Sequence, residues 1–400
     1  MKKVIQLLVF IALVSTLALS ALAQATPSSG TASTAASAQD DAEAKVKLYD
    51  QFRTNIKEHP DVAYQAGKDY LAKYEAKDGP TDQYIAYIKK WVASYEKVVR
   101  RTQLFQQIGD KKYNEAFASA KQVLMDYPDD VDVLYRLVGA GVFALNSKNE
   151  ANNADAIAYT KKLISLVQAG KNPDSSKSKD EVLGNLNYAL GLFSQKSQPT
   201  EAAGYFVTAA QFEGGTKKDP NTYLLLADIY EKGDYTTLAT QFSTNCKTPE
   251  QLNGQECKDL STKVNQVVDH IIDALARAIA YSNSSPDAAK FAADRASWME
   301  ALTRYYKYRN NDSDAGLKEL IASITSRPIP KPGEAIVPPL IPQASTPPSS
   351  SSTTTTQPTA TPATKQGTTP ATTTQPGSKT TTTPPAGKTS TGKTTPRRSH

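Results

Sequence analysis

The segment 201-EAAGYFVTAAQF-212 decides how the rest of this sequence is interpreted. Ala202, Phe206 and Ala209 lie four and three residues apart, so they share one stripe of an α-helix. Small residues next to one aromatic residue let a second helix approach closely, while the ring fills the remaining space. The stripe belongs either to an ordinary core helix or to one unit of a repeat.

The same spacing recurs along the chain, which favours a repeat. Its other copies are Ala116, Ala120 and Val123; Ala156, Thr160 and Leu163; and, more weakly, Gly316, Leu320 and Ser323. A second pattern lies on the segments expected to form the preceding helices. It comprises Asn187, Leu190 and Gly191; Tyr223, Leu226, Ala227 and Tyr230; and Trp298, Ala301, Leu302 and Tyr305.

Together these residues resemble the tetratricopeptide repeat, which pairs a first helix carrying Leu-Gly and Tyr with a second carrying Ala and Phe. Ala116, Ala156 and Ala202 are 40 and 46 residues apart, so the chain resembles a divergent member with insertions. The resemblance implies an all-α solenoid of roughly five to seven antiparallel helix pairs. In this family the first helices line a concave groove that holds an extended peptide or a partner helix.

The hydrophobic pattern by itself also predicts helices throughout residues 40–328. Apolar residues recur at intervals of three and four, and no alternating run predicts a strand. Proline-containing breakers mark the expected helix ends. They are His59-Pro60, Gly79-Pro80, Tyr127-Pro128, Asn172-Pro173, Gln198-Pro199, Asp219-Pro220 and Ser285-Pro286.

The first residues predict export. Two lysines precede an apolar run that ends in Ala21-Leu22-Ala23, the pattern of a secretory signal peptide over residues 1–23. We expect cleavage between Ala23 and Gln24, and a disordered spacer over residues 24–39. The alternative is an uncleaved signal that anchors the chain in the inner membrane, because the run approaches the length that spans a bilayer. The predicted location is the periplasm or cell envelope.

The other end of the chain changes composition at residue 329. Residues 329–400 are rich in Thr, Pro and Ser, which predicts a disordered, extended tail. This tail carries seven Lys and Arg against Glu334 alone, so it accounts for the whole formal charge of +6. A neutral folded region argues against a nucleic-acid partner, whereas the basic tail is suited to contact a cell wall or a membrane surface.

The phase of the repeat pattern selects candidate binding residues. Asn185 and Asn221 occupy equivalent places, where some members of the resembled family grip the backbone or the terminal carboxylate of a peptide. The lysines that would complete such a carboxylate clamp are not evident. The side chains expected to face the groove are Tyr135, Arg136, Asn185, Tyr188, Asn221, Leu224 and Asp228.

Catalytic, metal and cofactor motifs are not evident in the sequence. His270 and Asp273 are three residues apart, which is typical of a satisfied helix histidine. No G-x-S-x-G turn or phosphate-binding loop occurs, and helix capping explains the cluster Asp129, Asp130 and Asp132 better than a metal does. We therefore expect a binding scaffold and no cofactor. The alternative is a structural envelope protein whose tail contacts the cell wall, with the solenoid as a spacer.

Cys246 and Cys257 are eleven residues apart and flank a loop, which predicts a disulfide in an exported protein. Closing so short a loop stabilises the fold by about 2–3 kcal/mol on the chain-entropy account.

We predict that the exported protein has no free thiol, because both cysteines are oxidised together. A thiol-reactive chromophore added to the denatured, unreduced chain measures this directly. Two titratable thiols per chain would contradict the prediction.

Overall fold

A computed structural model of the chain describes residues 32–79 and 81–341. Over these residues every regular element is a helix and there is no β-strand. The predicted all-α class is therefore confirmed for this part of the chain. None of its helices combines the length and apolar character required to cross a membrane. The predicted signal peptide, its cleavage site and residues 342–400 lie outside the described residues.

The chain divides into two compact units at Val99 and Arg100, where a single domain over residues 40–328 was expected. The first unit has its own core, in which Phe52, Tyr70, Tyr74 and Ile88 are almost completely buried. Its helices are α1 (Ala32–Asn55), α2 (Pro60–Asp78) and the first part of α3 (Ile85–Gly109).

The second unit holds the remaining helices. They are α4 (Tyr113–Asp126), α5 (Val131–Asn146), α6 (Asn153–Gln168), α7 (Lys179–Ser194), α8 (Pro199–Gln211), α9 (Gly215–Lys218), α10 (Pro220–Tyr230), α11 (Thr236–Asn245), α12 (Pro249–Asn253), α13 (Gln255–Ser284), α14 (Ala292–Arg309) and α15 (Leu317–Ser323). Short connections make successive helices pack side by side, as α5 does with α6, α6 with α7 and α7 with α8. Contacts between helices further apart in the chain join α5 to α7 and α10 to α13. A π-helical segment, Glu231–Tyr235, joins α10 to α11.

The stripe that opens the sequence is buried between α7 and α8. Ala202, Phe206 and Ala209 are fully buried, as are the matching stripes on α4 and α6. The Phe206 ring lies over Gly191 of α7 so closely that an added Cβ would be 2.7 Å from its Cζ atom. The fourth stripe is wrong: Gly316 and Ser323 are exposed and only Leu320 is buried, because Gly316 precedes α15 in a left-handed conformation.

Within the described residues the proline breakers fall at the starts of helices or between helices, as expected, and Pro80 lies outside these residues. Pro60, Pro199 and Pro220 are the first residues of α2, α8 and α10, where the missing N–H leaves no helical hydrogen bond unmade. Asp130 caps α5 by accepting hydrogen bonds from the N–H groups of Asp132 and Val133. Capping therefore accounts for this aspartate, as the sequence suggested.

The folded region is longer at both ends than expected. Helix α1 begins at Ala32, inside the predicted spacer 24–39, since the alanine-rich start of this segment favours a helix. At the other end, residues 327–341, which we call the strap, leave the last helical turn and pack against the core of the second unit. Leu340 is buried there, and Ile329, Ile336 and Ile341 are partly buried. Packing of the chain therefore continues past the tail boundary predicted at 329, because these apolar side chains have a surface to cover.

Cys246 and Cys257 form a disulfide with a Cα–Cα distance of 5.8 Å. Both are buried, and Leu260 packs with them in a small apolar cluster at the end of α11 and the start of α13. The bond therefore joins these two helices across the short helix α12.

We predict that Gly191→Ala lowers the free energy of unfolding by about 1–3 kcal/mol, because the new methyl group overlaps the buried Phe206 ring. Urea denaturation of both proteins measures the difference. Gly204→Ala on α8 is the control: no atom lies within 4 Å of its added Cβ. This control gains helix propensity and is stabilised by up to about 1 kcal/mol. Equal effects of the two substitutions would contradict the packing explanation.

Candidate binding groove between α5 and α7

A concave groove of about 590 Å³ lies between α5 and α7 in the second unit. Helix α5 supplies Tyr135, Arg136, Gly139 and Phe143, and helix α7 supplies Asn185. The loop between α6 and α7 closes one side with Pro173 and Asp174. We call this surface the α5–α7 groove.

The floor of the α5–α7 groove is apolar. Val138, Ala140, Leu186 and Ala189 line it, and they belong to a buried core cluster or pack beside one. The ring of Phe143 stands at the edge with 60% of its surface exposed, which is unusual for so large an apolar side chain. An added Cβ at Gly139 would meet no atom within 4 Å, so this glycine leaves the middle of the groove open.

A charged network fixes one rim of the groove. Asp132 accepts hydrogen bonds from Arg101 at 3.1 Å and from Arg136 at 2.7 Å. Both guanidinium groups also lie over the ring of Phe105, at 4.5 and 4.6 Å from its centroid. Arg136 is therefore held in place and its charge is already paired, which lets it orient a ligand without carrying an unpaired charge.

Asp130 anchors the same network. Its carboxylate caps α5 and accepts a hydrogen bond from Arg101 at 2.7 Å. Burial raises the pKa of this carboxyl group, but the hydrogen bond from Arg101 and those from the backbone outweigh burial and hold the pKa below its ordinary value. The first turn of α5, which precedes Tyr135, is therefore stabilised by a charged aspartate.

Tyr135 and Asn185 provide the polar groups inside the groove. Burial, followed by the nearby charge of Asp174, raises the pKa of Tyr135, so its hydroxyl stays protonated and can donate a hydrogen bond. The Asn185 amide makes no side-chain hydrogen bond within the described part of the chain. A free amide offers both a donor and an acceptor, which is the pair that a peptide backbone requires.

The other four predicted groove residues do not join this site. Tyr188 packs edge-on against Phe206 at 5.3 Å, and burial raises its pKa to about 12. Asn221 donates to Asp219 at the start of α10, Leu224 packs against the core, and Asp228 pairs with Lys232 at 2.6 Å. The structure thus gathers three of the predicted residues, Tyr135, Arg136 and Asn185, and uses the other four locally.

Sequence reasoning missed Phe143, Gly139 and Asp174. The first two follow Tyr135 at intervals of eight and four on α5, so the helical period could have placed them on the same face. Asp174 lies in the loop before α7, and no periodicity applies to a loop.

His270 is buried, with 3% of its surface exposed, and its Nε2 atom lies 2.8 Å from the carbonyl oxygen of Glu334. Since a carbonyl only accepts, Nε2 carries the proton. Asp273 pairs with Arg277 at 2.7 Å. Among residues 32–79 and 81–341 no cluster of three metal-binding side chains is present.

Comparison of the chain with protein-family models, with curated proteins and with solved structures gives no match. Function is therefore inferred from the site itself.

We predict that Asp130→Asn reduces stability at pH 7 by about 1–3 kcal/mol, because asparagine keeps the cap but loses the charged hydrogen bond to Arg101. The folded-state pKa lies below the unfolded one, so the aspartate stabilises the fold above the ordinary aspartate pKa of about 4 and loses this contribution as the pH falls through the folded-state pKa. Urea unfolding from pH 7 down to pH 3 should show the two proteins converging. A constant difference across this range would contradict the ionic explanation.

Proposed function

We propose that this chain is a non-enzymatic protein-interaction scaffold that holds a peptide or a helix in the α5–α7 groove. The observation that carries the proposal is the groove itself. An exposed phenylalanine and an apolar floor lie beside a tyrosine hydroxyl and an unengaged asparagine amide. Apolar anchoring with a few convergent polar groups is the usual composition of a binding site.

The helix packing supports a divergent, exported tetratricopeptide-like repeat as the scaffold. In such a repeat the first helices of successive pairs lie side by side, and α5 and α7 have this relation, with α6 and α8 as the second helices. The α5–α7 groove is then the face formed by first helices. The bacterial periplasm or cell envelope is the proposed location, on the basis of the amino-terminal sequence.

The paired charges around the groove favour a ligand of low net charge. Arg136 and Asp132 neutralise each other, which leaves Asp174 as the acidic group of the lining. The ligand is then anchored by one or two large apolar side chains beside Phe143, and oriented by hydrogen bonds to Tyr135 and Asn185.

A structural role in the envelope is the second candidate, and the charge distribution is the observation that favours it. The excess positive charge of the chain lies in residues 329–400, and only Lys331 of its cations is within the strap. A basic, threonine- and proline-rich segment is suited to contact an anionic cell-wall polymer. Deleting residues 342–400 separates the two candidates: groove binding survives the deletion, whereas wall retention is lost.

We predict that peptides of about 12 residues, selected from a displayed library on the full chain, bind the α5–α7 groove. Gly139→Leu fills the centre of the groove and should reduce their affinity at least about tenfold, and Phe143→Ser should do the same by removing the anchor. Fluorescence anisotropy of the labelled peptides measures these affinities.

Two substitutions outside the groove are the matched controls. Gly204→Leu places the same side chain at another open helical glycine, and Met125→Ser removes another exposed apolar side chain, of which 75% is accessible. Both should leave affinity within about twofold. Failure of the selection, or equal losses in the groove variants and in the controls, would refute the proposed site.

A further inference from the structure

The strap, residues 327–341, packs against the helices of the second unit, to which it belongs. It contains no α-helix and it follows the last 3-10 turn, Ile324–Ser326. Its polar contacts to α13 run through its backbone carbonyls. Its apolar side chains lie on the core cluster formed by α8, α10, α13 and α14.

Helix α13 supplies the donors for these carbonyls from one face. Arg277 donates to the carbonyl oxygens of Arg327 and Pro328 at 3.1 and 2.9 Å. Gln266 donates to Gly333 at 2.7 Å, and His270 donates to Glu334 at 2.8 Å. Positions 266, 270 and 277 repeat with the helical period, so the three side chains that donate to the strap lie on a single face of α13.

Arg277 is held in position for this contact by a neighbouring carboxylate. Its side chain is 3% exposed, and the equally buried Asp273 holds it through two hydrogen bonds of 2.7 and 3.2 Å. The remaining donor capacity of the guanidinium points at the strap. A buried ion pair is tolerated only when its other polar atoms are satisfied, and here the carbonyls of the strap satisfy them.

The apolar contacts give the strap a defined register. Leu340 is buried, and Ile336 packs against the core, whereas the adjacent Val337 is 81% exposed. Pro332 lies beside Tyr230 at a small cavity between α8 and α10. Residues 337–339 between these two contacts are exposed, so the core holds the strap at separate apolar side chains.

We propose that this face of α13 is a second peptide-binding site, separate from the α5–α7 groove, and that the strap is its ligand in cis. The site recognises a segment rich in proline and isoleucine that turns at Pro332-Gly333. Three side chains donate to its backbone carbonyls, and the core cluster packs against Ile336 and Leu340. The same segment supplied in trans, from a second copy of the chain or as a free peptide, binds it in the same register.

The test uses the full chain with a recognition sequence for a site-specific protease inserted between Ser326 and Arg327. After folding and cleavage, the released residues 327–400 are removed by gel filtration in dilute urea. The remaining chain is returned to buffer and mixed with an excess of the labelled peptide RPIPKPGEAIVPPLI, which corresponds to residues 327–341. Gel filtration and fluorescence anisotropy should show the peptide bound to the cleaved chain and not to the uncleaved chain. Far-ultraviolet circular dichroism follows the helices in the same samples.

Substitutions in the peptide test the register without affecting the folding of the protein. The Ile336→Asp peptide should bind at least about tenfold more weakly, because it places a charge against the core, while the Val337→Asp peptide should stay within about twofold. On the protein, Gln266→Ala should weaken binding about three- to tenfold by removing one hydrogen bond, whereas Lys263→Met, an exposed change on the same helix, should not.

Circular dichroism and peptide binding each give a result that supports the proposal and one that overturns it. If removal of the strap lowers the helical signal, its recovery on addition of the peptide supports the proposal, and a signal that stays low overturns it. Absence of binding to the cleaved chain, or equal affinities of the Ile336→Asp and Val337→Asp peptides, overturns it as well.

Discussion

A phenylalanine ring lying on the backbone of a neighbouring helix is the contact on which the second unit depends. Phe206 of α8 covers Gly191 of α7, and Phe193 of α7 covers Gly141 of α5 in the same way. Each glycine lowers helix propensity by about 1 kcal/mol relative to alanine. In return, its missing side chain lets two helices approach closely around a large buried ring. Because α7 carries a glycine for one contact and a ring for the other, the two contacts connect α5, α7 and α8 into one stack.

The α5–α7 groove follows from this stacking. Gly141 and Phe193 bring α5 and α7 together at one contact, and other residues of the two helices line the groove beside it. Gly139 keeps the space between them open and Phe143 remains exposed. The network of Asp130, Asp132 and Arg101 fixes the start of α5 with charge–charge contacts, so the groove is formed before any ligand arrives.

The strap is also held by close contact with a helix, but here the contacts are polar. The buried pair of Asp273 and Arg277 would be expensive if it ended at its own two hydrogen bonds, because both charges have left water. Carbonyls of the strap complete the coordination of Arg277, and the isoleucines of the strap cover the apolar surface around it. A segment with the composition of a linker thus becomes part of the folded unit, because side chains of α13 donate hydrogen bonds to its backbone carbonyls.

The sequence by itself determined the helical class of the described residues, the starts of α2, α8 and α10, and the buried stripes around Ala116, Ala156 and Phe206. These depend on local periodicity and on where proline interrupts the backbone. The phase on α5 selected Tyr135 and Arg136, which line the same groove. Only the tertiary structure decided that Tyr188 packs on Phe206, that Asp174 reaches the groove, and that residues 329–341 bind α13. These facts depend on which surfaces meet across many residues of chain, and neither the period of a helix nor the composition of a loop carries that information.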